Sequence, residues 1–416
     1  MTRPLTNIDP IIMVENTHPA LLPNGLSDLV PPVAAAEWQA VNHLIDAYSG
    51  HGYQLVKPPL MEFEDGLLTG PGAALAPQTF RLMDPISRQM LGLRADITAQ
   101  IARIAGSRLQ TAPRPLRLSY AGEVVRVSGT QLRPEREFCQ VGAELIGALE
   151  ASADAEIMVM AVDALQSLDI PNISLDLSLP TLQPYFLERS GLDDAARDDL
   201  AEAIRRRDAE AVTASGAKDA SVIAKLISAA GPVDEALAIL RDTAIPAGLT
   251  GDIERLMAVV ATLKADLPGV MITVDPLERR GFEYQTGLSF TLFARGVRGE
   301  LGRGGRYRSA GAFPRQQASN AAETMASLGE PAVGFSLFMD SIMRGLGYVP
   351  KAKRLFVPAD MPLTARQDLI ASGWVVVRAL ADNLSADALK DAAMTAACDH
   401  YWVEGQAQPT GLAETE

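Results

Sequence analysis

Between Glu137 and Ile146 the chain alternates without interruption. Cys139, Val141, Ala143 and Leu145 are apolar, and Phe138, Gln140, Gly142 and Glu144 fill the intervening positions. A period of two belongs to a strand, whose successive same-face residues stand about 7 Å apart. The segment predicts a strand with one apolar face and, on the other, an amide, a glycine and a carboxylate in a row. Upstream, Leu116, Leu118 and Tyr120 alternate with Arg117 and Ser119, and a polar loop carrying Arg133, Pro134 and Arg136 separates the two runs. Such a pair reads as an antiparallel ribbon. An amide and a carboxylate across a glycine suit a small molecule bearing an ammonium group. The same pattern also describes a solvated sheet face with incidental polar residues.

The rest of the chain supplies elements around this ribbon. Residues 33–48 carry Trp38, Val41, Ile45 and Tyr48 at helical spacing, with Gly50 and Gly52 as the stop. An extended run, 53–60, contains Pro58-Pro59, which lack amide donors and suit a strand end or an edge at a subunit contact. A helix is expected over 151–168 and a strand over 172–178. Residues 183–266 are Ala-rich, charge-laced and helical, closed by Pro268-Gly269. Strands return at 271–275 and 288–294, followed by a glycine-rich turn at 302–307, a loop over 308–330 and a helix over 334–346. From 353 to 403 strands and helices alternate in a small α/β unit. The division expected is a core in two parts, 1–182 and 270–350, a helical insertion at 183–269, a C-terminal domain at 351–405 and a tail at 406–416.

Charge narrows the function. Lys plus Arg number 37 and Asp plus Glu 51, a net charge of -14. Nonspecific nucleic-acid binding draws its affinity from neutralised phosphates, so nucleic acid is not an expected partner. Cys139 and Cys398 stand far apart, and four histidines form no ligand pair, so no metal is expected. No signal-peptide pattern and no run of 18 uncharged apolar residues occurs, which makes the cytoplasm the default location.

Other residues with chemistry are individually ambiguous. Arg280, ahead of Gly281, can clamp a carboxylate or phosphate, or be a surface arginine at a turn. Gly302-Arg303-Gly304-Gly305-Arg306-Tyr307 lets backbone approach a phosphate, or simply turns. Asp96 and Thr98 offer an acid and a hydroxyl, yet Asp96 can equally cap a helix starting at 97. No nucleophile with a matched base is readable, and no cofactor motif.

Taken in order, "GYQLVKPPLME", "LRADITAQIARIA", "LRLSYAGEVVR", "REFCQVGAELIG", "RRGFEYQTGLSF", "GRGGRY" and "PAVGFSLFMDSIM" resemble the catalytic core of a class II aminoacyl-tRNA synthetase of the histidyl type, over about residues 21 to 346. The resemblance implies an α+β fold: an antiparallel sheet flanked by helices, with a helical insertion and a small C-terminal α/β domain. It also implies an amino-acid pocket lined by Asp96, Thr98, Gln140, Glu144, Arg280 and Tyr284, with Arg126 at its edge. Glu144 would face the ammonium group and Gln140 would orient the ligand.

Departures from the synthetases set the functional expectation. Ser128 stands where the second motif places an acidic residue. Asp340-Ser341 replaces the Glu-Arg pair of the third motif, whose arginine faces the nucleotide's phosphates. Losing such a clamp removes several kcal/mol, roughly, of transition-state stabilisation. Gln285 replaces the second tyrosine of the histidine-recognising segment, and the C-terminal unit is short. A chain that keeps the amino-acid side and loses the ATP side resembles the ATP phosphoribosyltransferase regulatory subunits. That likeness implies a noncatalytic, cytoplasmic subunit that joins a short catalytic transferase at the first step of histidine biosynthesis. Self-dimerisation and histidine as effector are part of the same expectation. The alternatives are a divergent histidyl-tRNA synthetase and a synthetase-like scaffold with a vestigial pocket.

Overall fold

The 137–146 alternation becomes a ten-residue strand deep inside a nine-stranded sheet. The computed structural model describes residues 21–68, 70–130, 133–279, 285–309, 329–347 and 353–411. Two units separate along the chain, Met1–Gly347 and Tyr348–Glu416. The strands are β1 (Gln54–Leu55), β2 (Met61–Phe63), β3 (Arg81–Met83), β4 (Met90–Leu93), β5 (Leu116–Val125), β6 (Glu137–Ile146), β7 (Ile173–Ser178), β8 (Gly231–Pro232), β9 (Met271–Asp275), β10 (Gln285–Ala294), β11 (Gly302–Arg308) and β12 (Pro331–Phe338). In the second unit they are β13 (Arg354–Val357), β14 (Val375–Arg378), β15 (His400–Val403) and β16 (Gln406–Pro409).

The large sheet runs β1-β5-β6-β12-β11-β10-β7-β9-β8. Its six middle strands pair antiparallel, while β1 with β5 and β7 with β9 are parallel. Val141, Ala143 and Leu145 on one face of β6 join a core with Leu44 and Tyr48 of the helix Val33–Gly50 and with Ile157 and Met158 of the helix Ala151–Gln166. Residues of the helical insertion, among them Ile204, Val212, Ile223 and Leu240, belong to that same core. Asp154 is fully buried between Arg306 of β11 and Arg255 of the helix Thr250–Asp266, each at 2.8 Å, and so ties helix, sheet and insertion together.

Four local expectations change. The first helix turns Trp38 outward, 68% exposed, because Ala40, Val41, Leu44 and Tyr48 make the inner stripe. Gly302–Tyr307 is not a turn but part of β11. A Cβ on Gly304 would lie 2.3 Å from the Gly334 carbonyl oxygen, and one on Gly302 would lie 2.5 Å from that of Ser336. These glycines admit close backbone approach between strands. Residues 331–338, partly read as helix, form β12. It is buried along both faces, so its sequence is a continuous apolar run without period two. Residues 406–409 are not tail but a strand pairing antiparallel with β15.

The second unit has its own sheet, β14-β13-β15-β16, with β13 parallel to both β14 and β15. Leu389 and Ala393 of the helix Ala386–Thr395 pack there on Phe356 and Cys398. Among the described residues, no helix is long and apolar enough to cross a membrane.

Candidate functional site

Register places the site. Across the middle strands, Tyr120 faces Gly142, which faces Ser336, and Leu118 faces Glu144, which faces Gly334. Paired residues share a sheet face. The row of Gln140, Gly142 and Glu144 therefore gathers Tyr120, Ser336 and, from β11, Tyr307. Gly142 leaves room for the Tyr120 hydroxyl, 2.5 Å from where a Cβ would be, and the Glu144 carboxylate lies over Gly334 in the same way. The face is not solvated: Gln140 and Glu144 are buried.

Asp96 and Thr98 complete the cluster from the start of the helix Thr98–Gly106. The Gln140 amide nitrogen donates to Asp96 Oδ2 at 2.7 Å and to Ser336 Oγ at 2.6 Å, and its oxygen accepts from the Ile97 amide at 2.9 Å. Asp96 Oδ1 accepts from the Thr98 amide at 2.8 Å. Asp96 thus satisfies an amide at the helix start with one oxygen and bonds Gln140 with the other. Tyr307 donates to Glu144 Oε2 at 2.9 Å, and the Tyr120 hydroxyl stands 3.3 Å from Oε1. Burial pushes the Glu144 carboxyl up to about 8, and the Asp96 charge adds to this, while hydrogen bonds from Tyr307, Thr98 and Tyr120 oppose it.

Arg126 belongs to a neighbouring cleft of about 230 Å³, which it lines with Ser128, Arg133, Asp176, Glu300 and Arg303. Its guanidinium lies 5.0 Å from the Phe138 ring centroid and donates to the Ala95 carbonyl at 3.3 Å. Among the described residues it makes no ion pair. The space beside Glu144 is much smaller, about 20 Å³, and Thr98, Gln285, Tyr307 and Gly305 also border it. That is room for about one water. The Gln285 amide donates to the Gly304 carbonyl at 3.3 Å.

The corner carrying Asp340 and Ser341 is filled by the chain itself. Arg133 pairs with Asp340 at 3.2 Å, donates to Ser341 Oγ at 3.4 Å and stacks 3.8 Å from the Phe338 centroid. Arg344 reaches the same Asp340 oxygen and Ser341 Oγ, both at 3.0 Å, and Glu135 at 2.9 Å. Both guanidiniums are occupied by the protein's own carboxylates.

Of the residues singled out in the sequence, Asp96, Thr98, Gln140 and Glu144 come together, and Arg126 lies in the adjoining cleft. Arg280 and Tyr284 lie outside the described residues. Tyr120, Ser336 and Tyr307 join the cluster without having been singled out. The alternation of β5 did place Tyr120 on its apolar face. Among the described residues no acidic, histidine or cysteine cluster could hold a metal ion.

This sheet and this cluster define a class II synthetase-like protein, and comparison with known proteins agrees. A family model described as histidyl-tRNA synthetase matches residues 25–342. A solved Bacillus halodurans structure, described as an ATP phosphoribosyltransferase regulatory subunit/histidyl-tRNA synthetase, superposes with a TM-score of 0.73 at 22% identity, covering 94% of this chain and 97% of that one. An ATP phosphoribosyl transferase (HisG:HisZ) complex from Thermotoga maritima contains a chain with the same fold, at a TM-score of 0.54 and 16% identity over 73% of this chain and 97% of that one. The ATP phosphoribosyltransferase regulatory subunit of Paramagnetospirillum magneticum is 47% identical over 404 residues, 97% of this chain and 100% of the relative. The chain belongs to the ATP phosphoribosyltransferase regulatory subunits, the noncatalytic, synthetase-like proteins of histidine biosynthesis.

Proposed function

We propose that this chain binds a short catalytic ATP phosphoribosyltransferase in the cytoplasm, raises its activity, and mediates feedback by histidine bound in the Glu144 pocket. The observation that carries this reading is the contrast between two neighbouring regions of the molecule. The amino-acid side keeps a buried carboxylate, an amide and hydroxyls around a glycine floor. The nucleotide side has Ser341 in place of an arginine, held by Arg133 and Arg344. In the pocket, Glu144 takes the ammonium group, Gln140 and Asp96 orient the ligand, and Arg126 attracts the carboxylate. Arg280 and Tyr284 complete the set by resemblance. A site without chemistry acts on another only by binding one state of the partner better than another.

Self-association is part of the proposal. β2, β4 and β3 form a small sheet that exposes Met61, Phe63, Met83 and Met90, next to an 91% exposed Ile86. An apolar patch of this kind on a soluble domain marks an interaction face, and a second copy in two-fold symmetry is the occupant proposed.

Mixing the purified chain with a short transferase tests the reading. Sedimentation is expected to show a hetero-oligomer, phosphoribosyl transfer to rise on adding this chain, and histidine to lower it. Separate species with unchanged transfer rates would favour the vestigial scaffold. Histidine-dependent pyrophosphate exchange by the isolated chain at ordinary enzyme rates, roughly 1 per second or more, would favour a synthetase.

A further inference from the structure

We propose that the amino-acid pocket and the apolar face of the β2-β4-β3 sheet are coupled through residues 94–103, so that filling the pocket changes how tightly two copies associate. This rests on the pocket and self-association readings above and adds a physical link between them.

One short stretch of chain serves both places. In its middle the Ile97 amide is held by Gln140 and the Thr98 amide by Asp96. On both sides of that point it grips the segment that leads into β2. Arg94 Nη1 donates to the Pro58 carbonyl at 3.1 Å, and its Nε donates to the Glu123 carbonyl at 2.7 Å. The Gln100 amide nitrogen donates to the Pro59 carbonyl at 2.8 Å and to Glu62 Oε1 at 2.9 Å. Arg103 closes the set by pairing with both oxygens of the Glu62 carboxylate. Glu62 sits on β2 between Met61 and Phe63, two residues of the exposed face.

Burial makes the link stiff. Arg94 and Gln100 are 6% and 1% exposed, so water does not readily replace a lost partner. Each buried polar group then follows its neighbour or forfeits its bond. A ligand that draws on Asp96 or Gln140 disturbs the start of the helix Thr98–Gly106. Gln100 lies two residues further along that helix, and the Pro59 carbonyl and Glu62 move with it. Gln100 and Glu62 belong neither to the pocket nor to the apolar contact, which makes them the places to cut the link.

The test uses the full chain, with histidine as the probe. Calorimetry measures histidine binding, and sedimentation measures the dimer constant with and without saturating histidine. The wild type is expected to change its dimer constant at least about fivefold, within the usual range of coupling. Because a dimer carries two pockets, reciprocity requires the histidine affinity of each to change by the square root of that factor, about twofold, between dilute and concentrated protein. In Gln100→Leu, and in Glu62→Gln should that variant fold poorly, histidine still binds but the change is expected to fall below about twofold. Histidine binding with an unmoved dimer constant in the wild type overturns the coupling and leaves the pocket reading intact. A shift that persists in both variants overturns the route through 94–103. Absence of histidine binding overturns the pocket reading and the coupling together, and a chain that stays monomeric overturns the proposed face.

Discussion

The Glu144 pocket and the Ser341 corner both adjoin the β6–β12 pair, yet they are held together by different means. Around Glu144 the partners are two phenols and a threonine hydroxyl, with Ser336 and the Gln140 amide bonded to each other beside them, and the carboxyl has no cation bonded to it among the described residues. Around Ser341 two guanidiniums are tied to Asp340, Glu135 and Glu300. Neutral hydroxyls exchange one partner for another at little net cost, because each hydrogen bond is worth about 1 kcal/mol. A buried ion pair does not, since separating it strands a charge. On the proposed reading, the corner is closed by ion pairs, while the pocket offers groups that a ligand would recruit.

The largest effect is expected at the corner. Asp340→Ala leaves Arg133 with only the distant Glu300 carboxylate and should cost about 3 kcal/mol of stability, read from denaturant unfolding. Histidine affinity should stay within about twofold, because the pocket's hydrogen bonds do not include Asp340. A matching loss of affinity would mean that the two regions are one site.

Glu144→Gln should reverse that pattern. Removing a charge-assisted bond is expected to weaken histidine by about 1.5–3 kcal/mol in calorimetry, with no loss of stability at neutral pH. Unchanged affinity would place the ligand elsewhere.

A pH series sharpens the same contrast. The folded chain holds the Glu144 proton up to about 8, whereas an ordinary carboxyl at 4.5 has released it. Over that window the folded state binds more protons, so this group makes stability fall as pH rises. Glu144→Gln should flatten that slope. An ammonium ligand favours the carboxylate, so histidine should bind more tightly at pH 8 than at pH 6 and release protons into the buffer. Binding that is independent of pH would argue against an ammonium at Glu144.

The smallest effect belongs to Gln285→Tyr. An added phenol beside the pocket should tighten histidine by about 0.5–1 kcal/mol in the same calorimetric measurement, the worth of one modest hydrogen bond. Weaker binding would show that Gln285 itself contacts the ligand or that the bulkier ring blocks its path.

Much of this was legible in the residues, and the failures share a cause. Strand β6 was readable because its two faces differ chemically, and the Asp340-Ser341 substitution because it sits in a motif of known order. What was misread depends on partners distant in sequence. Gly302, Gly304 and Gly305 look like a turn until Gly334 and Ser336 are laid against them. β12 gives no period because both of its faces are covered. Trp38 falls at helical spacing with Val41 and Tyr48, yet it stands at the margin of the stripe that the sheet covers. Tyr307 and Ser336 reach Glu144 and Gln140 only through strand register, which no local pattern carries.

Strands β6, β12 and β11 stand third, fourth and fifth of nine in their sheet, away from either edge. Fraying begins at edges and ends, so the amides of these strands should exchange with solvent deuterium among the slowest in the chain, near the rate set by global unfolding. A pocket floored by them does not open by breathing of its own base. A bound molecule then leaves only as fast as the rim lets it, and the time it stays is governed by the side chains around the mouth rather than by the sheet beneath.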